Sequence, residues 1–347
     1  MKIYKVGGYV RDKILGVKSK DIDWLVVGST PEEMIKNGFT QVGKNFPVFI
    51  HPDTKEEYAL ARKEQKTGLG HKNFEFNFSP EITLEEDLAR RDLTINAIAE
   101  DESGNLIDPF NGRGDIENKI LRHVSDSFFE DPLRALRVCR FAATLPEFSI
   151  HTETFDALKR ISDSGELKHL SRERVWDETL KALKGDFHKY LELIKKINLD
   201  EPWFSGLENI PSSLPSNIID KWCYVARENN FKFGGNLLHS KDFSKRLSLW
   251  KNLSILQDIN DKNLLSRELI GLSQNIYIDD IAKVVPYFSE KAEFIYKIIK
   301  DYKKRDLAHL NGMTAEEIKD AKASVFLEII EEYEYKNIYY WRSSKNR

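Results

Sequence analysis

Short runs of β-branched and aromatic residues at Lys2–Val6 and 22–27 are separated by Gly7, Gly8 and an amphipathic stretch that closes at Gly16. That pattern predicts strand, turn, helix, strand. Thr30 followed by Pro31 and Glu33 has the composition of a helix start, with a capping threonine, proline at the first helical position and a glutamate reaching back. Further strands are expected over 48–50 and 56–61, with a hairpin over 98–107 turning at Ser103-Gly104. Residues 68–78 contain glycine and asparagine and no clear period, which predicts a loop between the strand ending near Arg62 and a helix capped by Thr83 and Glu86. After Asp131-Pro132 the character changes: LRALRVCRFA, residues 152–162 and RERVWDETLKALKG all carry apolar residues at helical spacing. Residues 202–215, rich in Pro, Ser and Asn, read as a linker, Phe294, Ile295, Ile298, Ile299 and Tyr302 mark a later amphipathic helix, and Thr314 with Glu317 caps one more. The expectation is an α+β fold, with a mixed β-sheet and helices in a head over 1–125, a helical neck over 126–200, and a helical body and tail over 201–347.

Composition narrows this picture only in part. A chain of 347 residues, 41% hydrophobic, is long enough for two or three structural units with buried cores. The net charge of −3, from 53 Lys plus Arg against 56 Asp plus Glu, neither announces nor excludes a nucleic-acid partner, because phosphate binding needs only a local patch. Cys139 and Cys223 lie far apart with no thiol or histidine at zinc spacing, so neither a disulfide framework nor a zinc site is implied. His51, His71, His123 and His151 show no ligand spacing either. No run approaches the roughly 20 apolar residues of a membrane span, and a cytoplasmic location is the corresponding expectation.

The residues that suggest chemistry come early. Gly7-Gly8, Arg11-Asp12 and Asp21-Ile22-Asp23 follow one another into a strand. Side chains at i and i+2 of a strand share a face, so Asp21 and Asp23 can converge on a cation. Magnesium favours a few carboxylates plus substrate phosphates. Gly8 lets backbone approach a triphosphate closely, and Arg11 offers it a fork of donors. Taken singly, a glycine pair is usually a turn and an Asp-x-Asp a solvated strand edge; the combination at this spacing is what is specific.

GGYVRDKILG followed by DIDWLVVG resembles the first motif of the class II tRNA nucleotidyltransferases, within the polymerase-β nucleotidyltransferase superfamily. EEYALARKEQ, LEEDLARRDLTINAIA, IDPFNGRGDIENKILRHV, EDPLRALRVCRFA and LSRERVWDE follow in that family's order, so the resemblance covers roughly 1–185, and its detail is that of the bacterial CCA-adding type. It implies Asp21 and Asp23 as ligands of Mg2+, Gly8 and Arg11 as triphosphate contacts, and Arg91, Arg137 and Arg140 as nucleotide-binding residues. It implies Glu57, on the strand where that superfamily often places one, as a supporting carboxylate. In RRDLTINAIA it assigns Asp92 to the ribose 2′-hydroxyl and Arg91 to a phosphate; the plain alternative is a solvated helix end with an Arg-Asp pair.

Base choice without a template has a chemical rationale. Cytosine and adenine share an amino donor beside a ring-nitrogen acceptor, whereas guanine and uracil present a carbonyl beside an N–H. A carboxylate paired with a guanidinium, as Asp131 and Arg134 provide, would accept the first two and reject the others. Asp131 also suits a helix cap ahead of Pro132. Arg134, Arg137 and Arg140 recur every three residues and so drift around one side of a helix.

Lys159, Arg160, Lys168, Arg172, Arg174, Lys181 and Lys184 continue as a possible track for tRNA phosphates, while Trp176 and Phe187 are expected in the core. The resemblance implies CCA addition to tRNA from CTP and ATP by two-metal transfer with release of pyrophosphate, and no protein partner. Poly(A) polymerase, CC-adding or A-adding activity is the alternative, and the intact EDPLR with the loop at 68–78 favours full CCA addition. A silent tRNA-binding protein is the non-enzymatic alternative, against which the complete carboxylate and arginine set argues. The sequence holds no His-Asp dipeptide, the mark of the HD phosphohydrolase domain in longer relatives, so no phosphohydrolase activity is expected.

Overall fold

The computed structural model describes residues 1–18, 21–42, 48–66, 74–237, 240–275 and 277–344. The chain forms two compact units, Met1–Ile210 with Gly234–Leu238, and Pro211–Phe233 with His239–Arg347. The fold is α+β, with a mixed sheet near the N-terminus and helices thereafter.

The first unit opens with β1 (Lys2–Val6), α1 (Gly8–Ile14), β2 (Asp23–Val27) and α2 (Pro31–Lys36), followed by β3 (Thr40–Val42), β4 (Val48–Ile50) and β5 (Glu57–Leu60). Thr30 and Glu33 close a reciprocal capping box with Pro31 at the first helical position, as their spacing leads one to expect. Strands β6 (Lys63–Lys66) and β7 (Phe74–Asn77) then precede α3 (Leu84–Ala89), which starts on a second capping box from Thr83 and Glu86. The short β8 (Ala99–Glu100) and β9 (Leu106–Ile107) form the expected hairpin, with Gly104 at φ +82 in its turn. Among the described residues these strands make a seven-stranded sheet in the order β3-β4-β5-β2-β1-β8-β9.

Register is what matters for the site. β1 runs antiparallel to β2 with Val6 opposite Asp23, and β5 runs parallel to β2 with Trp24 opposite Tyr58 and Leu25 opposite Ala59. Alternation along each strand therefore turns Asp23 to the face of Leu25, and Glu57 to the face of Ala59. Leu25 packs there with Val6, Ala61, Ile82 and Leu88. The opposite face buries Val26, Phe49, Tyr58 and Leu60 against Met34 and Phe39.

The loop expected over 68–78 is corrected in part. Residues 68–73 lie outside the described residues, but Phe74–Asn77 is strand β7, paired antiparallel with β6. Phe74, Phe76 and Phe78 do alternate with polar residues, a period of two obscured by the glycines before them, whereas the partner sequence KEQK carries no apolar signal at all.

After α4 (Gly112–Glu117) and β10 (Ile120–Leu121) come α5 (Leu133–Thr144), β11 (Ser149–Ile150), α6 (Thr152–Ser164), α7 (Arg172–Leu183) and α8 (Phe187–Lys196). Helix α5 packs on α7 and α8 and buries Leu136, Val138, Cys139 and Phe141. Burial pushes the Cys139 thiol up to about 12, so it behaves as a small apolar side chain. Trp176 and Phe187 are buried, as expected. The stretch read as a linker is less open than its composition suggests: Phe204 is buried, and the Trp203 indole N–H donates to the Leu167 carbonyl at 2.7 Å.

The second unit is helical: α9 (Ile218–Glu228), α10 (Lys241–Asp258), α11 (Lys262–Asn275), α12 (Ile278–Val284), α13 (Glu290–Tyr302) and α14 (Ala315–Ser344). Trp250, Leu253, Leu269, Ile295, Ile299 and Phe326 share its core, where the rings of Tyr302 and Phe326 stack at 3.9 Å. Among the described residues no helix is long and apolar enough to cross a membrane.

Gly112 shows how tightly the first unit is fitted. A side-chain carbon there would collide with the Thr94 carbonyl and stand 2.9 Å from Ile98, so α4 approaches the turn at Thr94–Asn96 only because the position lacks one. Gly112→Ala is expected to cost about 1–3 kcal/mol through overpacking, read as a lower denaturation midpoint at unchanged slope.

Candidate active site

A cleft of about 630 Å³ in the first unit is lined by Gly7, Gly8, Arg11 and Asp23 at one end and reaches Asp131 and Arg174. Arg62, Arg90, Arg91, Arg134, Arg137 and Arg140 line it as well. So many guanidiniums around one opening give it the charge and the forked donors that suit a polyanion.

The glycine turn is built for closeness. Gly7 follows β1 at φ +71, and a side-chain carbon on it would lie 3.0 Å from Arg91 Nη1 and 3.2 Å from Asp23 Oδ2. Gly8, the position singled out from sequence, has more room, with Arg11 Nη2 at 3.6 Å. Gly7 is therefore the tighter constraint, since another residue would meet both the strain of a left-handed backbone and this crowding.

Asp23 begins β2 and Asp21 precedes the strand, so simple strand alternation does not govern the pair. The two charges nevertheless act on each other. Although solvent still reaches the Asp23 side chain, burial raises its pKa above the usual carboxylate range; Arg91 opposes that shift, Asp21 and Glu57 add to it, and Arg11 opposes it more weakly. Glu57 lines an adjoining recess of about 330 Å³ that shares Asp23, Arg62, Arg90 and Arg91 with the main cleft. Among the described residues no three acidic, histidine or cysteine side chains are already arranged to enclose a metal. The donor set still fits magnesium, which takes one or two carboxylates and completes its shell with water and phosphate oxygens. The mutual repulsion of Asp21, Asp23 and Glu57 is what a divalent cation would relieve.

Buried carboxylates organise the arginines. Asp87 accepts from Arg90 Nε and Nη2 at 2.9 and 2.6 Å, from Arg91 Nη2 at 3.2 Å and from the Arg62 backbone N–H at 3.3 Å. Burial raises the Asp87 pKa, but Arg90 and Arg91 hold it below the usual range. Asp92 takes the Leu93 N–H and the Asn96 amide on one oxygen, both at 2.9 Å, and Arg137 on the other at 2.8 Å from Nε and 2.7 Å from Nη2. Burial works against its charge, and Arg137 with Asn96 overcomes that, holding the carboxyl far below its ordinary value. Both oxygens of Asp92 are thus engaged already, so any contact with a ribose hydroxyl would be an additional one. Glu178 accepts from Arg137 Nη1 at 3.3 Å, Arg140 Nε at 2.9 Å and Lys181 Nζ at 2.9 Å.

Asp131 and Arg134 each engage other groups as well. Asp131 Oδ1 caps α5 by accepting the Leu133 N–H at 3.1 Å, and Oδ2 receives Arg174 Nη2 at 2.7 Å. Arg134, buried, donates to the carbonyls of Ser127 and Arg90 at 2.6 and 2.5 Å. Arg174 and Lys181, two residues of the expected phosphate track, line the cleft. Sequence reasoning passed over Asn96, Asp87 and Glu178. A signal existed for Glu178, a charged residue three positions after Val175 within a helical apolar pattern; Asn96, amid TINAIA, carried none.

Residues 3–122 match the family described as the poly A polymerase head domain, and residues 147–210 the probable RNA and SrmB-binding site of polymerase A. A CCA-adding enzyme of Actinobacillus succinogenes is 57% identical over 201 residues, 57% of this chain and 50% of that protein. A multifunctional CCA protein of Pseudoalteromonas atlantica is 54% identical over 211 residues, 60% of this chain and 52% of that protein. The chain thus matches about half the length of these curated relatives. Among solved structures, an apo CCA-adding enzyme superposes with a TM-score of 0.68 at 20% identity, covering 96% of this chain and 92% of its own. The Thermotoga maritima CCA-adding enzyme complexed with tRNA gives 0.62 at 20%, covering 95% and 90%. At such identity these two speak for the fold.

The Asp23 shift carries a stability consequence with a definite sign. A carboxyl whose folded pKa is raised costs nothing below its unfolded pKa of about 3.9, and its full penalty is present above the folded value. Asp23→Asn should therefore raise the thermal midpoint of the metal-free protein near pH 7 and lose that advantage as the pH falls toward about 4. A midpoint that does not rise at pH 7 would refute the shift.

Proposed function

We propose, from the premise that this chain belongs through its first 210 residues to the nucleotidyltransferase family of the CCA-adding enzymes, that it adds C, C and A to the 3′ end of tRNA from CTP and ATP. The observation that carries the reading is one continuous cleft running from the carboxylate Asp23 and the Gly7-Gly8 turn to Asp131. No nucleic-acid template is required by such a cleft, because its own side chains offer a base edge both an acceptor and donors.

In this reading the glycine turn, Arg11 and Arg91 receive the triphosphate, and Arg137 and Arg140 extend the positive wall. Asp131 accepts the exocyclic amino group of cytosine or adenine while Arg134 donates to the ring nitrogen. Arg174, seated on Asp131, would share in that contact or move aside for the base. Guanine and uracil would set a carbonyl against the carboxylate, an arrangement that costs the unmade hydrogen bond as well as the repulsion. The recess beside Glu57 offers room for the RNA terminus. The RNA 3′ oxygen bonds to the α-phosphorus as the bond to pyrophosphate breaks. Magnesium held by Asp21 and Asp23 would supply charge neutralisation and a more acidic 3′-hydroxyl. The head over 1–125 would carry the transfer, the neck over 126–200 the base choice, and the body and tail over 201–347 the docking of tRNA, in the cytoplasm.

Poly(A) addition is the second reading, favoured by the match to a poly A polymerase head. Purified protein incubated with tRNA lacking its last three nucleotides, Mg2+, and CTP, ATP or both separates the two by sequencing of the product ends. CCA ends support the first reading, A-tracts the second, and unextended ends with retained tRNA binding a silent tRNA-binding protein.

Two substitutions test the parts. Asp21→Ala with Asp23→Ala should lower incorporation by about a thousandfold or more, equivalent to several kcal/mol of lost charge stabilisation; an active double variant would remove the metal assignment. Asp131→Ala should reduce discrimination against GTP and UTP by about 1–3 kcal/mol. A capping role alone predicts about 0.5–2 kcal/mol of lost stability and unchanged nucleotide preference.

A further inference from the structure

We propose that Asn96 is a positioning residue that aims Arg11 at the incoming nucleoside triphosphate and ties it to the arginines of α5, through an amide whose orientation Asp92 dictates. The inference rests on the nucleotidyltransferase reading and deepens it.

Asn96 ends the 3-10 turn at Thr94–Asn96 and is 5% exposed. Its amide nitrogen donates to Asp92 Oδ1 at 2.9 Å, and its amide oxygen accepts from Arg11 Nη1 at 2.7 Å. A carboxylate offers only acceptors and a guanidinium only donors. Only one of the two amide orientations satisfies both neighbours; the reverse would oppose acceptor to acceptor and donor to donor. Asp92 thereby fixes which way the Asn96 carbonyl points, and the carbonyl fixes one arm of Arg11.

Asp12 holds the other edge of that guanidinium, accepting from Nε at 2.9 Å and Nη2 at 2.7 Å. Of the five N–H donors of an arginine, these contacts use three among the described residues, which leaves two for a phosphate. A bidentate phosphate contact needs that number. Because Asn96 is neutral, it directs Arg11 without cancelling its charge. An aspartate there would crowd Asp92, and an aliphatic residue would release Arg11.

The contact also belongs to a closed circuit. From Asn96 the chain runs through Asp92 to Arg137, on to Glu178 and to Arg140. The Arg140 guanidinium lies 3.5 Å from the centre of the Phe141 ring, and that of Arg11 lies 5.2 Å from the same ring. Both ends of the chain thus meet at one aromatic ring. Arg11 sits at the triphosphate end and Arg137 and Arg140 on the helix that follows Asp131, so Asn96 is the neutral link between phosphate holding and base choice.

The test is a double-mutant cycle on CTP and ATP binding and turnover with Mg2+, using the full chain, Asn96→Ala, Arg11→Met and the two combined. Asn96→Ala is expected to raise the CTP dissociation constant and KM about tenfold, near 1.4 kcal/mol, with a smaller fall in kcat. The combined variant should match Arg11→Met within about twofold. An unchanged KM in Asn96→Ala, or two effects that simply multiply, overturns the proposal, since a merely structural role would lower the thermal midpoint without acting through Arg11. Should Asn96→Ala not fold, Asn96→Asp keeps the shape and the acceptor for Arg11 while losing the donor to Asp92. Its CTP constant should rise about tenfold, and a wild-type constant overturns the proposal. A wild type that binds CTP but extends no RNA refutes the transferase reading and leaves the positioning intact; one that binds no nucleotide overturns both.

Discussion

The structure of the first unit depends on a single electrostatic constraint: a cleft that is to receive a polyanion must gather guanidiniums while it is empty. Two unit charges about 4 Å apart interact by roughly 4 kcal/mol at an intermediate effective dielectric, so arginines lining one opening would force it apart if left alone. Buried carboxylates prevent this. Asp87 lies behind Arg90 and Arg91, Asp92 behind Arg137, and Glu178 behind Arg137, Arg140 and Lys181. Each carboxylate costs desolvation, which its several partners offset. Asp21, Asp23 and Glu57 follow the opposite logic, since there like charges stand together beside the turn that would hold phosphates.

Local structure serves that arrangement. The two capping boxes fix where α2 and α3 begin, and α3 delivers Asp87 to the sheet face beside Leu88. The cramped passage at Gly7 puts backbone beside Asp23 and Arg91, and Gly112 lets α4 press on the turn that ends in Asn96. Backbone freedom and close packing are thus spent at the points where the cleft walls are set.

Much of this was legible in the chain itself, for physical reasons. Short β-branched and aromatic runs mark β1 and β2, helical spacing of apolar residues marks α5 and α13, and the capping residues of α2 and α3 stand at their required spacings. Short spacing set some candidate residues together, Arg134, Arg137 and Arg140 on consecutive turns and Asp21 and Asp23 two apart, while the roles of Gly8, Arg11, Arg91, Arg137 and Arg140 came from the family resemblance. What escaped was long-range pairing. Nothing local shows that Asp131 meets Arg174, 43 residues on, or that Arg134 turns inward to the carbonyls of Ser127 and Arg90. Strand β6 escaped because the sequence KEQK carries no apolar alternation to mark it.

Parallel pairing of β2 with β5 sets Asp23 and Glu57 in one row although 33 residues separate them in sequence. The stretch joining them can therefore lengthen or shorten without touching the chemistry, provided the row is kept. A slip of one position would be another matter, rotating Glu57 to the far side of the sheet among Phe49 and Met34. What constrains insertions and deletions in that stretch is thus the pairing of β5 with β2, whatever their length.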